Sequence, residues 1–350
     1  VNNVDIIFEI ESTEVKYVNQ INIYGNNRTL EEVIRREVTF AEGDSVTDFL
    51  ISKTNRNLNQ LNIFDKVNVT EQNINNEFVD INIDVNEKWI SYLDFRNSKT
   101  YTQDVLDFQP DYLFHLGAFT NLEYCEQHPD ETYITNTLSV EHGVYIAQKL
   151  NIPLLYISTA GIYDGKKKLY DDWDLPNPLG HYARSKYAGE LFVQGHCSRY
   201  LVCRPGWMMG GGPQKDKKFI QKIMLQLKEG KTELHVVNDK LGTPTYTHDF
   251  ANNVKQLLQN EYWGIYNMVC DGLTGRLEVA QELINVLGLT NKVKVVSVDS
   301  TYWQAEYSAP RPPNERLINK KLNLRDLNVM RDWRLCLREY LEKYYQGYLT

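Results

Sequence analysis

The chain has 350 residues, 42% hydrophobic and 24% charged, with a formal net charge of −8. That length suffices for two domains with sizeable cores. The acidic balance argues against nucleic-acid binding, which needs Lys and Arg to displace counterions, and no run approaches the ~20 apolar residues of a membrane helix. Residues 1–89 hold 16 acidic and 8 basic side chains and the rest hold 30 of each, so the whole net charge sits in the first quarter, as expected of two units of different origin. The first residue is Val1 and no signal peptide follows, so the chain is expected to be an internal piece of something longer or a processed product. Five cysteines at irregular spacing, all after residue 89, predict reduced, mostly buried thiols rather than disulfides. No His or Cys cluster has zinc-ligand spacing, so no metal is expected.

In chain order, Val4 to Ile10 reads as an isolated strand and Val15 to Tyr24 as a second, ended by the turn Gly25-Asn26-Asn27. Thr29 is placed to cap a helix with Glu31 and Glu32 in its first turn, followed by Val33 and Ile34, and Gly43-Asp44 breaks that helix. Leu50, Ile51, Leu58 and Leu61 fall near one face of a second helix over Asp48 to Leu61. Phe64 to Val69 and Phe78 to Val85 alternate as strands around the turn Asn73-Ile74-Asn75-Asn76. The words Val18-Asn19-Gln20-Ile21-Asn22-Ile23-Tyr24-Gly25-Asn26, Arg28-Thr29, Val33-Ile34-Arg35-Arg36-Glu37, Ala41-Glu42-Gly43-Asp44 and Ile63-Phe64-Asp65-Lys66-Val67 carry a resemblance. Residues 14–88 resemble a POTRA domain of the outer-membrane assembly factor BamA, a small βααββ unit. Residues 1–13 then correspond to the last strand of a preceding POTRA unit. The resemblance implies peptide strands as partners at the sheet edge and a periplasmic or outer-membrane location.

Residues 89–350 alternate strands and helices. Tyr112 to Ala118 is a nearly unbroken apolar run, as expected of a parallel strand buried on both faces. A helix over Thr135 to Lys149, a strand over Pro153 to Ser158, a helix from near Tyr182 through Val193 and a strand over Tyr200 to Arg204 follow, a doubly wound α/β pattern. From about Asp216 onward, longer helices, loops and many aromatics predict a C-terminal cap that shapes a substrate pocket.

The chemistry is concentrated in Ile157-Ser158-Thr159 and Tyr182-Ala183-Arg184-Ser185-Lys186. Tyr182 and Lys186, four residues apart on a helix, share a face. A Lys ammonium beside a phenol lowers its pKa, so the Tyr hydroxyl can pass a proton to a developing alkoxide. The Thr159 hydroxyl, at a strand end where ligands approach such sheets, can orient the carbonyl. An exposed helical pair would give the same Tyr-x-x-x-Lys spacing; the strand-end Ser-Thr upstream favours a ketone-reducing or alcohol-oxidising site.

The words Gln109-Pro110-Asp111, His115-Leu116-Gly117-Ala118-Phe119-Thr120, Asn136, Ile157-Ser158-Thr159 through Tyr163-Asp164-Gly165, Pro178-Leu179-Gly180-His181-Tyr182, Arg204-Pro205-Gly206-Trp207 and Leu241-Gly242-Thr243-Pro244-Thr245 carry a second resemblance. From Asp94 to Tyr345 the chain resembles an extended short-chain dehydrogenase/reductase of the dTDP-4-dehydrorhamnose reductase type. The resemblance implies a Rossmann-type parallel sheet, a nucleotide-linked keto-sugar as substrate, NADP or NAD as cofactor, and a cytoplasmic location that conflicts with that of the first segment. It makes Thr159, Tyr182 and Lys186 catalytic. It places Asp94 near the adenine, Gly117 and Ala118 along the ribose and phosphate path, Pro205, Gly206 and Trp207 beside nicotinamide and sugar, and Thr120 and Asn121 toward the substrate. Ala160 departs from the family, which usually has Asp there, and this bears on the identity of the substrate.

Other features have two readings each. Gly210-Gly211-Gly212-Pro213 with Lys215, Lys217 and Lys218 reads either as a diphosphate contact or as a flexible turn with solvated lysines, since no strand–GxxxxGK[ST]–helix frame surrounds it. His115, His181 and His248 read as structural histidines, Lys166-Lys167-Lys168 as a solvated loop, and Trp303 and Tyr307 as core or pocket wall. Arg311, in the turn Pro310-Arg311-Pro312-Pro313, is placed to reach a phosphate.

A dinucleotide fold opens with a strand, a Gly-rich turn and a helix whose N-terminus holds the pyrophosphate. No such turn precedes Tyr112, so the Rossmann sheet is truncated, its strand at Tyr112–Ala118 is an unpaired edge, and cofactor binding is expected to be weak or absent. Three readings follow: a reductase fragment joined to a POTRA unit by recombination or misassembly, with impaired activity; a non-catalytic POTRA interaction module; and a reductase whose cofactor loop comes from another chain.

Overall fold

Lys16–Tyr24 forms β1, in which Val18 and Ile21 are buried although three residues apart; a bulge between Val18 and Gln20 resets the alternation. The computed structural model describes residues 15–26, 29–61, 63–87 and 94–349, and the strand expected at Val4–Ile10 lies outside them. After β1 come α1 (Glu31–Arg35), β2 (Ser45–Val46), α2 (Asp48–Gln60), β3 (Phe64–Asn73) and β4 (Phe78–Glu87). The helix expected to be capped by Thr29 is capped instead at Leu30 without a side-chain bond, and the Thr29 amide donates to Glu87 Oε1 at 2.6 Å. Thr47 caps α2, its hydroxyl accepting from the Leu50 amide.

The sheet order is β2-β1-β4-β3, with β4 parallel to β1 and antiparallel to β3. Period-two spacing puts Val79, Ile81, Ile83 and Val85 of the central strand into the core against Ile34 and Leu58 of the two helices. Each such side chain contributes about 1.5–3 kcal/mol by leaving water. This is the βααββ order of the first resemblance, plus a two-residue β2 too short to leave a periodic signal.

The chain divides into two compact units, Val1–Tyr92 and Leu93–Thr350. In the second, α3 (Ser98–Phe108), β5 (Leu113–His115), α4 (Leu122–Gln127), α5 (Pro129–Tyr133), α6 (Ser139–Leu150), β6 (Leu154–Ile157), α7 (His181–His196) and β7 (Tyr200–Arg204) build one half. The rest comprises β8 (Trp207–Met209), α8 (Gly212–Lys215), α9 (Phe219–Lys228), β9 (Glu233–Val237), β10 (Leu241–Gly242), β11 (Pro244–Tyr246), α10 (Thr247–Gln259), β12 (Gly264–Asn267), β13 (Thr274–Gly275), α11 (Arg276–Val286), β14 (Lys294–Val298), β15 (Asn314–Glu315), α12 (Lys320–Leu324) and α13 (Trp333–Tyr344).

An all-parallel sheet runs β12-β7-β6-β5. The strand expected over Tyr112–Ala118 shrinks to three residues at the sheet edge, and it is not buried on both faces: Leu113 and His115 are buried while Phe114 is 47% exposed. The helix expected from Thr135 begins as a π-helical stretch, Ile134–Leu138, before α6. The region after Asp216 packs onto the sheet: Leu201 and Cys203 of β7 share one core with Met224 of α9, Leu283 of α11 and Trp333 and Tyr340 of α13. All five cysteines are free, four of them buried.

Candidate active site

The site forms where β6 and β7 end side by side. Ser158 donates its amide to the Cys203 carbonyl at 2.8 Å and Ala160 donates to Pro205 at 2.8 Å, so the two strand ends are laced together. Thr159 is extended and caps the 3₁₀ turn Ala160–Ile162, its Oγ1 accepting from the Gly161 amide at 3.1 Å. Beyond Pro205, the Gly206 amide donates to Thr245 Oγ1 at 2.9 Å and the Trp207 amide to the Thr243 carbonyl at 2.9 Å. A Cβ at position 206 would collide with that carbonyl, which is why only glycine lets the strands close here.

Tyr182 is the second residue of α7, and the Thr159 side chain lies near enough to its hydroxyl to favour ionisation. Burial wins over that contact and pushes the phenol up to about 12, with the Glu315 charge adding to the rise. The sequence-based expectation that Lys186 lowers this phenol is therefore corrected. The Lys186 ammonium turns into the sheet and stands 4.1 Å over the Tyr156 ring. Its backbone carbonyl accepts from the Tyr156 hydroxyl at 2.9 Å. Burial depresses the ammonium to about 7, against the opposing charge of Glu190.

Asn136, in the π-helical stretch, holds the loop after β5 to α7. Its Oδ1 accepts from the Phe119 amide at 2.8 Å, and its Nδ2 donates to the Phe119 carbonyl at 3.1 Å and to Ser185 Oγ at 3.1 Å. Thr137 Oγ1 donates to the Ser185 carbonyl at 2.8 Å. A widened turn that aims such groups is a frequent feature of functional sites.

The structure thus gathers Thr159, Tyr182, Pro205, Gly206 and Trp207 around one point and sets Lys186 one turn deeper. The other residues singled out in the sequence are engaged elsewhere. Asp94 pairs with Arg96 at 2.8 Å on an exposed turn. Gly117 and Ala118 are half-buried in the loop after β5, and a Cβ on Gly117 would run into the Phe95 ring. Asn121 Oδ1 caps α4 by accepting from the Tyr124 amide at 3.1 Å, and Thr120 Oγ1 accepts from Lys218 Nζ at 2.9 Å. Arg311 pairs with Glu123 at 2.6 Å. Gly210–Pro213 leads into the four-residue α8, so no long helix N-terminus stands behind the glycines. His115 is buried against Ser139 Oγ at 3.1 Å and pushed down to about 3 by burial, and His248 Nε2 meets the Tyr344 hydroxyl at 2.9 Å. Among the described residues no group of three His, Cys, Asp or Glu side chains is placed to hold a metal ion.

Sequence reasoning missed two side chains at the site. Glu315 Oε2 accepts from Trp207 Nε1 at 2.8 Å, and the Arg276 guanidinium stacks on the Trp207 ring at 3.7 Å. Neither lies within a local motif; only the turn containing Arg311 pointed near Glu315.

The family model described as RmlD substrate binding domain matches residues 64–346, and the POTRA model, described as surface antigen variable number repeat, matches residues 16–88. Where the two overlap, residues 64–87 form the β3–β4 hairpin paired with β1, which assigns them to the first unit. The spore coat polysaccharide biosynthesis protein SpsK of Bacillus subtilis (strain 168) is 30% identical over 239 residues, 67% of this chain and 80% of that protein. The dTDP-4-dehydrorhamnose reductase of Escherichia coli (strain K12) is 26% identical over 260 residues, 71% of this chain and 85% of that protein. The crystal structure of dTDP-4-dehydrorhamnose reductase from Yersinia enterocolitica matches with a TM-score of 0.68 and 25% identity, over 93% of this chain and 99% of that one. The fold is shared with the Bacillus anthracis str. Ames enzyme solved in complex with NADP, at a TM-score of 0.67 and 23% identity, over 94% of this chain and 99% of that one. The parallel sheet, the Thr159–Tyr182 pair at its strand ends and these matches agree: the chain belongs to the RmlD substrate-binding domain family, the dTDP-4-dehydrorhamnose-reductase-like oxidoreductases, and carries a POTRA unit ahead of that domain.

Proposed function

We propose that the second unit binds a nucleotide-linked keto-sugar and holds its carbonyl for reduction, in the manner of a dTDP-4-dehydrorhamnose reductase. The observation that carries this reading is the meeting of the Thr159 and Tyr182 side chains at the carboxyl ends of parallel strands. In this role the Thr159 hydroxyl donates to the substrate oxygen and fixes its direction. Tyr182, protonated at neutral pH with a phenol near 12, is matched to deliver a proton to an alkoxide. Trp207, backed by Arg276, walls the sugar subsite.

Reduction of a carbonyl also needs a hydride, which NADP or NAD supplies in such reactions. In this reading the nicotinamide end of such a cofactor would lie beside Pro205 and Gly206, while the described residues offer no cradle for its pyrophosphate. Residues 94–112, directly before β5, contain no glycine, and Gly25 and Gly43 are the only ones before them. Within the second unit, the described residues ahead of β5 form α3 and no strand with a phosphate-binding turn. The bare side of Gly117 is filled by Phe95. No hydride-transfer step is therefore assigned to this chain by itself, and its turnover is expected to be little or none. Fluorescence titration with NADPH is the test: no saturation at micromolar concentration is expected, and micromolar affinity would overturn the impairment.

The first unit favours a second, separate reading as a peptide-pairing module. Its edge strand β3 has ten residues, and β2 covers only Lys16 and Tyr17 of β1. Edges left unpaired among the described residues are of the kind that accept an added strand. Among the described residues no helix is long and apolar enough to cross a membrane.

A further inference from the structure

Glu315 belongs to β15, where it stands opposite Gly242 of the parallel neighbour β10. Its two carboxylate oxygens have different surroundings. Oε2 accepts from Trp207 Nε1 at 2.8 Å. Oε1 has no donor among the described residues and lies 3.3 Å from the point where a Cβ on Gly161 would stand. That same point is 3.5 Å from Thr159 Oγ1. The free oxygen therefore occupies the side-chain space that glycine leaves open in the turn after Thr159, on the side of the reacting hydroxyls. Its charge is felt by the Tyr182 phenol.

The surroundings act on this carboxyl in both directions. Burial pushes its pKa up, while Arg276, Arg311 and Lys240 act to hold the proton off. The Arg276 guanidinium lies between two rings, 3.7 Å from the Trp207 centroid and 4.6 Å from that of Phe219, and leaves Oε1 free of a direct bond. Oε1 meets solvent in the half-buried Glu315 side chain; a ligand that covers it without bringing a donor loses that hydration, and one that brings a donor replaces it. A hydroxyl or an ammonium does so; a deoxy carbon or an acceptor-only group does not.

We infer that Glu315 is a specificity-determining residue of the sugar subsite, its Oε1 accepting a hydrogen bond from a hydroxyl or ammonium substituent next to the reacting carbon of a nucleotide-linked sugar. This rests on the nucleotide-sugar reading above and goes beyond it by naming the group on the sugar that is read. Glu315 moves no proton; that task stays with Tyr182.

The test is isothermal titration of the full chain with dTDP and with dTDP-glucose, the second carrying the hydroxyls that the first lacks. Wild type is expected to bind dTDP-glucose about tenfold more tightly than dTDP, the worth of one matched hydrogen bond to a charged acceptor. Glu315→Ala is expected to bind dTDP as wild type does and to lose the sugar advantage. Glu315→Gln keeps the shape and the Trp207 bond but replaces the charged acceptor with an N–H that a sugar hydroxyl can only accept from, so the advantage is expected to shrink about threefold, with an unchanged melting profile. A sugar advantage that survives undiminished in either variant, or that is missing in wild type while dTDP binds, overturns the role of Glu315 and leaves the nucleotide-sugar reading standing. Failure of wild type to bind either probe overturns both.

Discussion

Replacing Lys186 with Met should make the protein more stable at neutral pH. The Lys186 side chain is 3% exposed, and its ammonium is depressed from 10.5 to about 7 by burial. The folded value lies below the unfolded one, so the unfolded chain holds the proton more tightly. The destabilisation by this group is fully present below about pH 7 and is relieved as the pH rises toward about 10.4. At about 1.4 kcal/mol per tenfold, the displacement amounts to roughly 4–5 kcal/mol, from which the contact with the Tyr156 ring subtracts about 1–2 kcal/mol. Methionine fills a similar volume without charge. Urea unfolding of wild type and Lys186→Met at several pH values should show the variant ahead by about 2–4 kcal/mol at pH 6, the lead shrinking toward zero near pH 10. A variant less stable than wild type at pH 6, or a difference that ignores pH, refutes the reasoning.

Two further outcomes are expected. Glu190 and Arg204 form an ion pair with side chains 0% and 3% exposed, and the Arg204 guanidinium also donates to the Tyr163 hydroxyl at 2.8 Å. Glu190→Ala leaves that guanidinium buried and unmatched, so urea melts should record a loss of about 3–5 kcal/mol, and a loss below about 1 kcal/mol would contradict the placement. If the outer edge of β3 receives a strand, then a ten-residue peptide of alternating Val and Thr should slow amide exchange over Phe64–Asn73 and leave α2 unchanged; identical exchange with and without peptide rules the pairing out.

The sequence revealed the parts of this molecule whose information is local. Val79, Ile81, Ile83 and Val85 announce a strand because period two is written into ten residues. Thr159 and Tyr182 were legible because a strand end and a helix start lie within one short stretch. The Trp207–Glu315 contact spans 108 positions and was not visible, since no spacing rule links residues that far apart. The direction of Lys186 was misread for a different reason. Four-residue spacing places two side chains on one face of a helix but does not say which of them the sheet beneath will take, and the Tyr156 ring takes the lysine. β5 was overestimated because an apolar run also serves as a loop: Leu116 is 63% exposed and Gly117 and Ala118 lie outside any strand.

The π-helical stretch at Ile134–Leu138 has a consequence for how this scaffold tolerates change. A regular α-helix through the same span would be one residue shorter. Deleting that residue would rotate everything ahead of it by about 100° about the helix axis. Asn136 would then swing away from Ser185 and from Phe119, and the loop after β5 would lose its fastening to the helix that bears the tyrosine. Single-residue deletions between Tyr133 and Ser139 should therefore be tolerated far less well than substitutions on the exposed side of the same turn, at Ile134 or Leu138.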